Sequence, residues 1–459
     1  MYDIAIIGNG SIGLAIAKKF SQSSVKNSKI SIFGDSSRIG SASKAAGLMF
    51  AAYSEVDEHF SKNKLENKVF NLINKKIAKR FEKEIILISK KTKIKLKSSK
   101  KTYIINNNSA SNLDEVNFEA IVNSLKKNKE KFKSVNPLKI PGYKPEKNFR
   151  SQKSILINEN SIDARKILKA LDLILRKEKK CDVINNNVES LSATKNSYKI
   201  IDSKKNIFYA KKIIICAGPY SQKFFSQLKI KKKIPKLFYG TGNALILKSN
   251  KKHLFQSSIR TVNRGLGCGI HIVPIDDYRV YVGATNRLSH KEINQKKFGP
   301  IKTLLLSAVK EINTDFENFE IEEILTGHRC YPEDGMPLIG SIGGKNIYIA
   351  TGFKRIGFSQ SFIIADILFD KIMYNKTVLK ELSPTRKIIR QNKKKAIENT
   401  VNHILSAAYQ HEMKLPSYED ENLYKNSIRE KIVKIYKEKK IKYGVPPEIL
   451  NFYKYNILK

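Results

Sequence analysis

Six residues near the amino terminus, Gly8-Asn9-Gly10-Ser11-Ile12-Gly13, have the types and spacing to hold a pyrophosphate. In a GxGxxG turn Gly8 permits the tight bend, and Gly10 lets the backbone approach the phosphates. Gly13 brings a helix against its strand, and Ser11 and Ile12 stand at a helix start that attracts negative charge. A second glycine-bounded segment, Gly352-Phe353-Lys354-Arg355-Ile356-Gly357, suggests that distant parts of the chain converge on one cofactor. An acid that binds ribose is expected about 20 residues past such a turn. Asp35, or a backbone group in its place, takes that position. The stretch Gly34-Asp35-Ser36-Ser37-Arg38 also reads as a pocket for a 2′-phosphate, which favours NADP, or as an ordinary strand-to-loop turn.

The elements that position these residues follow from apolar periodicity. Residues 3–7 read as a buried strand, 14–20 as a helix and 30–33 as a second strand, which completes a βαβ unit. Residues 65–88 have helical periodicity with a lysine-rich outer face. Residues 90–155 are polar and rich in Asn and Lys; with a strand at 102–105, they suggest a peripheral insertion. Ser161 is a candidate N-cap for an amphipathic helix running to about residue 175. A strand at 181–184, a hairpin-like stretch at 189–209 and a strand at 212–216 follow. The last ends in Ala217-Gly218-Pro219, a small-residue turn suited to a ligand. Short β patterns, including 244–247, 270–273 and 280–282, point to a second, antiparallel sheet. A buried strand at 347–350 leads through Gly352 to a helix at 359–373, and Lys/Glu/Tyr-rich helical text begins beyond residue 383.

The 459 residues, 41% hydrophobic, suffice for two domains or one large domain with insertions. The formal charge of +44 reflects 86 Lys and Arg against 42 Asp and Glu. Because lysine is spread over nearly every segment, a solvated basic surface is favoured over a nucleic-acid or membrane stripe. Cys181, Cys216, Cys268 and Cys330 are far apart, indicating neither a disulfide framework nor a metal site. The apolar run at 4–17 lacks a basic leader segment, and no stretch reaches the roughly 18 apolar residues of a membrane span. A cytoplasmic protein is the expectation. Residues 386–395 read as a solvated helical face, with phosphate contact as the alternative. Tyr418, Tyr424, Tyr436, Tyr443 and Tyr453 are expected to pack the tail onto the main body.

Over residues 1–375 the chain resembles the FAD-dependent D-amino-acid oxidase superfamily, and glycine oxidase and sarcosine oxidase-like enzymes within it. Gly40-Ser41-Ala42-Ser43-Lys44-Ala45-Ala46-Gly47-Leu48-Met49, followed by Glu55, is similar to the family segment along the flavin ring. Ala217 and Gly218 match its second nucleotide-side turn. Ile272-Val273-Pro274 and Val282-Gly283-Ala284-Thr285 resemble a strand pair of the substrate domain. Gly327-His328-Arg329-Cys330-Tyr331-Pro332-Glu333-Asp334-Gly335-Met336-Pro337-Leu338-Ile339-Gly340 leads into Ala350-Thr351-Gly352 in the family order.

The resemblance implies FAD as cofactor, with Ser43, Ala46 and Gly47 joining the glycine-turn residues, Asp35, Ala217, Gly218, Gly352 and Gly357 around it. It implies that Arg329 pairs with a substrate carboxylate and that Arg355 stands near the flavin pyrimidine edge. His271 takes a position where relatives often carry an aromatic residue, which places it at the substrate pocket. His328 replaces a small apolar residue, and both departures point away from the simplest substrates, such as glycine. The expected fold is α/β: a Rossmann-like FAD-binding domain (1–60, 155–225 and 326–380), an interleaved antiparallel-sheet α+β substrate domain (61–154 and 226–325), and a C-terminal helical extension (381–459). The expected reaction oxidises the C–N bond of an amino acid or related amine by hydride transfer to flavin N5, followed by imine hydrolysis. Oxygen or another acceptor would reoxidise the flavin. The alternatives are oxidation of a larger amine-bearing metabolite or modified tRNA, and a noncatalytic flavoprotein that assembles through its tail.

Overall fold

Alternating burial in the first strand, β1 (Tyr2–Ile7), organises one of two large sheets. Ile4 and Ile6 enter one core cluster and Ala5 and Ile7 another, none more than 4% exposed. A strand covered on both faces has no polar side to show, so it reads as a continuous apolar run. β1 pairs in parallel with β2 (Ile30–Phe33) on one side and β10 (Ile207–Ile215) on the other. The sheet continues past β2 to β7 (Cys181–Ile184) and past β10 to β18 (Ile347–Thr351) and β17 (Leu338–Ser341). A hairpin of β8 (Val188–Ala193) and β9 (Tyr198–Asp202) extends from β10. The computed structural model describes residues 1–23, 28–57, 64–96, 98–99, 101–106, 112–265, 269–342, 346–410, 413 and 418–458; Cys268 and the Tyr418 side chain lie outside them.

Helices α1 (Ser11–Ser21), α2 (Lys64–Leu72), α3 (Ile77–Thr92), α5 (Ala164–Lys177) and α8 (Gly357–Tyr374) share the cluster with Ile4 and Ile6. The β8–β9 hairpin and α6 (Gln222–Gln227) cover Ala5 and Ile7. Ser161 does not cap α5. Asp163 does, accepting from the Arg165 amide at 3.0 Å, while the Ser161 hydroxyl lies 2.6 Å from that of Ser258 in a buried contact. Asp precedes the helix as good a cap as Ser, so residue type alone left two candidates within three positions.

The second sheet runs β3 (Gly40–Ser41), β16 (Glu320–Pro332), β11 (Leu237–Lys248), β14 (Arg279–Gly283), β13 (His271–Pro274), β12 (Ser258–Thr261), β4 (Thr102–Asn106), β6 (Lys153–Ile157) and β5 (Phe132–Ser134), with β15 (Arg287–Ser289) also on β11. Its backbone is the long antiparallel β11–β16 ladder, from Leu237↔Pro332 to Lys248↔Glu320. α7 (Phe298–Glu311) buries Leu304 and Ala308 against one face beside Leu245, Ile272 and Val280. β4 is interior to this sheet, parallel to β12 and antiparallel to β6, with Ile104 and Ile105 fully buried. The segment 90–155 therefore contributes to the second core and is not peripheral; α4 (Asn112–Lys127) packs Phe118 and Ile121 on Ile104 and Ile155.

Beyond residue 392 the chain forms α9 (Lys393–Gln410), α10 (Tyr418–Glu438) and α11 (Leu450–Lys454). They bury Val401, Ile432, Tyr436 and Tyr453 with Phe238 and Tyr331 of the second sheet, and Phe452 stacks on Phe238 at 4.3 Å. Tyr424, by contrast, is exposed. The expected solvated helical face at 386–395 begins with a buried anchor. Arg386 binds both oxygens of Asp334 at 2.7 and 3.0 Å and the carbonyls of Met336 and Pro337 at 2.7 and 2.9 Å. A single inward-facing arginine inside a basic run is invisible to composition. Replacing Arg386 with Ala would strand the buried Asp334 charge and cost about 3–5 kcal/mol; a urea titration followed by circular dichroism should show that loss.

Candidate active site

The turn between β1 and α1 is built by contact distances that exclude side chains. Gly8 has φ +114°, and a Cβ there would stand 2.7 Å from the Cys216 carbonyl oxygen at the end of β10. A Cβ on Gly13 would fall 1.9 Å from the Gly8 carbonyl oxygen. Gly10 precedes α1 with no side-chain cap, and the first helical turn carries no acid. The helix start thus turns its amino-terminal, positive dipole end toward an anion. The Ser11 amide donates to Ser43 Oγ at 3.0 Å, which ties the following loop to the turn.

A cavity of about 510 Å³ opens from this turn between the two sheets. Gly8, Gly10, Ser11, Ile12, Asp35, Ser43, Ala46, Gly47, Ala217, Gly218, Gly352 and Gly357 line it, as do Arg329, His271 and Arg355. Gly13 does not; it lies behind the turn and packs it. Asp35 accepts from the Ser37 amide at 2.8 Å and the Ser37 hydroxyl at 2.7 Å, bonds that hold its carboxyl below the usual range. Arg38 is turned inward, paired with Asp172 at 2.6 and 2.8 Å and donating to the Asn9 carbonyl at 2.9 Å. Its guanidinium is committed to the protein, which removes the 2′-phosphate pocket and the NADP reading with it. Thr351 Oγ1 donates to the Gly218 carbonyl at 3.0 Å, joining the turns that follow β10 and β18.

The far wall belongs to the second sheet. Arg329 on β16 lies across β11, where a Cβ on Gly242 would meet its NH1 at 2.3 Å. It donates to the Thr285 carbonyl at 2.9 Å. His271 stacks on Tyr281 at 5.6 Å, and its Nδ1 is 3.3 Å from the Gly269 carbonyl. Burial first, then nearby Arg260, pushes His271 down to about 4, so the ring is neutral near pH 7. The Tyr281 hydroxyl donates to the Ala45 carbonyl at 3.0 Å, and its ring occupies the space a Cβ on Gly47 would need, at 2.4 Å. His328, next to Arg329 on the strand, also lines the cavity. Its Nδ1 is 3.0 Å from Thr241 Oγ1 and its Nε2 is 3.1 Å from Asn294 Oδ1, beside Glu292 and Tyr220.

Sequence reasoning missed Arg260, 2% exposed on β12, and gave Glu55 no role of its own. Arg260 NH1 reaches Glu55 Oε1 at 2.8 Å, and Arg355 Nε is 3.4 Å from Glu55 Oε2. Burial opposes ionisation of Glu55, but Arg260 and Arg355 outweigh it and hold the carboxyl down to about 2. An arginine inside the otherwise buried run Ser258-Ile259-Arg260-Thr261 was the available signal, since a buried arginine requires a partner.

The sequence profile described as FAD dependent oxidoreductase matches residues 3–371. This chain belongs to the FAD-dependent oxidoreductase family. FAD is its cofactor, and the tight glycine turn and bare helix start fit the pyrophosphate of that group. Similar solved structures include a glycine oxidase from Geobacillus kaustophilus, at TM-score 0.71 and 18% identity over 84% of this chain and 99% of that one. An iminodiacetate oxidase from Chelativorans sp. aligns at TM-score 0.69 and 17% identity over 83% and 99%. Among curated proteins, the bifunctional protein ThiO/ThiG of Trichormus variabilis is 30% identical over 111 residues, which span 24% of this chain and 17% of that protein.

Gly8→Ala should lower retained FAD at least about tenfold, because the left-handed backbone and the Cys216 contact both resist a methyl group; the flavin-to-protein absorbance ratio of purified protein reads this. Acid should destabilise the fold through two groups. His271 is depressed from 6.5, so the unfolded chain takes up its proton first and stability falls as pH drops from 6.5 to about 4; Glu55 is depressed from 4.5, so its contribution is lost as pH drops from 4.5 to about 2. Urea midpoints measured between pH 7 and 4 should decline, and His271→Asn should flatten the upper part of that slope.

Proposed function

We propose that this protein oxidises the C–N bond of a small amino acid or related amine. The observation that carries the reading is Arg329, laid over the side-chain-free Gly242 on the wall of the cavity that also contains the cofactor turn. A planar guanidinium suits two-point capture of a carboxylate, and such capture fixes the substrate Cα relative to the flavin. Bound FAD supplies the hydride acceptor, N5. The names of the similar structures, glycine oxidase and iminodiacetate oxidase, support an amine-bearing carboxylate as the substrate class.

The protein's part is orientation and electrostatics. Arg329 holds the carboxylate, and neutral His271 borders the site without adding a charge that would repel a substrate ammonium. Its Nδ1 faces a carbonyl oxygen, which selects the tautomer protonated at Nδ1 and leaves Nε2 as an acceptor. Arg355 adds positive charge where the reduced cofactor gains negative charge. Oxygen or another acceptor then removes the electrons. We assign residues 1–60, 155–225 and 326–380 to the cofactor domain and 61–154 and 226–325 to the substrate domain. Two crossings of that division stand out: α2 and α3 pack in the first sheet's core, and Arg329, on the second sheet, serves the substrate. The extension from 381 turns its apolar residues onto Phe238 and Tyr331, which favours a structural role over partner docking.

The test is anaerobic addition of amino acids and secondary amines to the purified flavoprotein, followed by visible absorbance. Bleaching by at least one carboxylate-bearing amine is expected, and a flavin that stays oxidised with all of them would sink the reading. Arg329→Lys should raise KM for the reactive compound about 10–100-fold, because the paired hydrogen bonds to the carboxylate are lost.

A further inference from the structure

Glu55 lies between two arginines on the cavity wall. Oε1 receives Arg260 NH1 at 2.8 Å, and Oε2 faces Arg355 Nε at 3.4 Å and Asn263 Nδ2 at 3.1 Å. All three charged residues line the cavity. Arg260 is further fixed by Asn263 Oδ1 at 2.9 Å, the Thr261 carbonyl at 3.1 Å and Ser54 Oγ at 3.2 Å.

The Glu55 carboxylate is not needed to shape its own turn. Glu159, 3% exposed, already accepts from the amides of Ala52 at 2.7 Å, Tyr53 at 2.5 Å and Ser54 at 3.3 Å, and from the Ser54 hydroxyl. A second carboxylate in the same buried neighbourhood costs desolvation energy that a neutral residue would avoid. Its placement has one electrostatic result: a single negative charge is shared by two guanidiniums that both border the cofactor cavity.

We infer that Glu55 is a positioning residue that sets the positive charge felt by the flavin, with Arg260 and Arg355 competing for its carboxylate. Arg260 draws on the Glu55 charge, so Glu55 offsets Arg355 less than it would without Arg260. A flavin gains negative charge on reduction, so its potential rises with the uncompensated positive charge beside it. Removing the Glu55 charge therefore raises the potential. Removing the Arg260 charge lowers it, because one cation is lost and Glu55 is left to Arg355 alone. The inference rests on FAD binding in this cavity.

Glu55→Gln, Arg260→Gln and the double variant should be prepared as flavoproteins, and their bound flavin equilibrated anaerobically against reference dyes. Glu55→Gln should shift the oxidised-to-reduced ratio at least about tenfold toward reduced flavin, about 30 mV for a two-electron couple. Arg260→Gln should shift it in the opposite direction, and the double variant should lie between the two. General damage to the fold has no reason to give shifts of opposite sign. If either single variant does not retain flavin, the sign of the other, together with the double variant, still decides. Unchanged potentials, or shifts in the same direction, would overturn the inference while leaving the amine-oxidation reading intact. A wild-type protein that takes up no FAD would overturn the reading on which it rests.

Discussion

The close approach of the Gly8 turn to the end of β10 is the constraint on which the site depends. With β1 parallel to β10, the Cys216 carbonyl arrives where a side chain on Gly8 would otherwise stand, and the Gly8 carbonyl in turn fills the space beside Gly13. These contacts bring the start of α1 to the cavity wall. They also set β10 and β18 side by side, so that Thr351 can reach the Gly218 carbonyl and close the cofactor wall from the carboxyl-terminal side. Loosening the first contact would displace residues from three remote segments at once.

The opposite wall depends on missing side chains as much as on present ones. Gly242 makes room for Arg329, Gly47 for the Tyr281 ring and Gly240 for Tyr331. The groups proposed to act here are one arginine laid over Gly242, one neutral histidine, and a carboxylate between two more arginines. The long β11–β16 ladder makes this arrangement stiff, and α9–α11 pack against it through Phe238 and Tyr331. Rigid support of this kind is what lets a cofactor enzyme hold its substrate in one orientation.

Legibility in the sequence followed the number of covered faces. β2 is found at 30–33, as its apolar run indicates, because a strand buried on both sides leaves no ambiguity; β7, at the sheet's edge with only Cys181 buried, is also found at 181–184. The glycines of the turn were readable for the same reason their mutation is restricted: only one residue type fits. The strand at 102–105 was read where it lies, but its segment was read as peripheral because lysines and asparagines flank it closely, and the burial of Ile104 and Ile105 is decided by β6 and β12, which no local pattern connects to it. The partners of Arg38, Arg260 and Arg386 were beyond local reading, since no spacing rule connects these arginines to Asp172, Glu55 or Asp334. Ion pairs between distant segments leave no periodic trace.

The strand order also sets a schedule. Gly8 meets its partner in β10 only after more than two hundred residues have been made, and the wall that contains Gly352, Arg355 and Gly357 comes from still later in the chain. The GxGxxG segment is therefore made well before the segments that complete its surroundings. No shorter nascent chain ending before residue 357 possesses the whole cavity, and pairings of such long sequence separation form slowly. The complete FAD cavity thus forms only after its carboxyl-terminal wall has been made, long after the glycine turn that opens it.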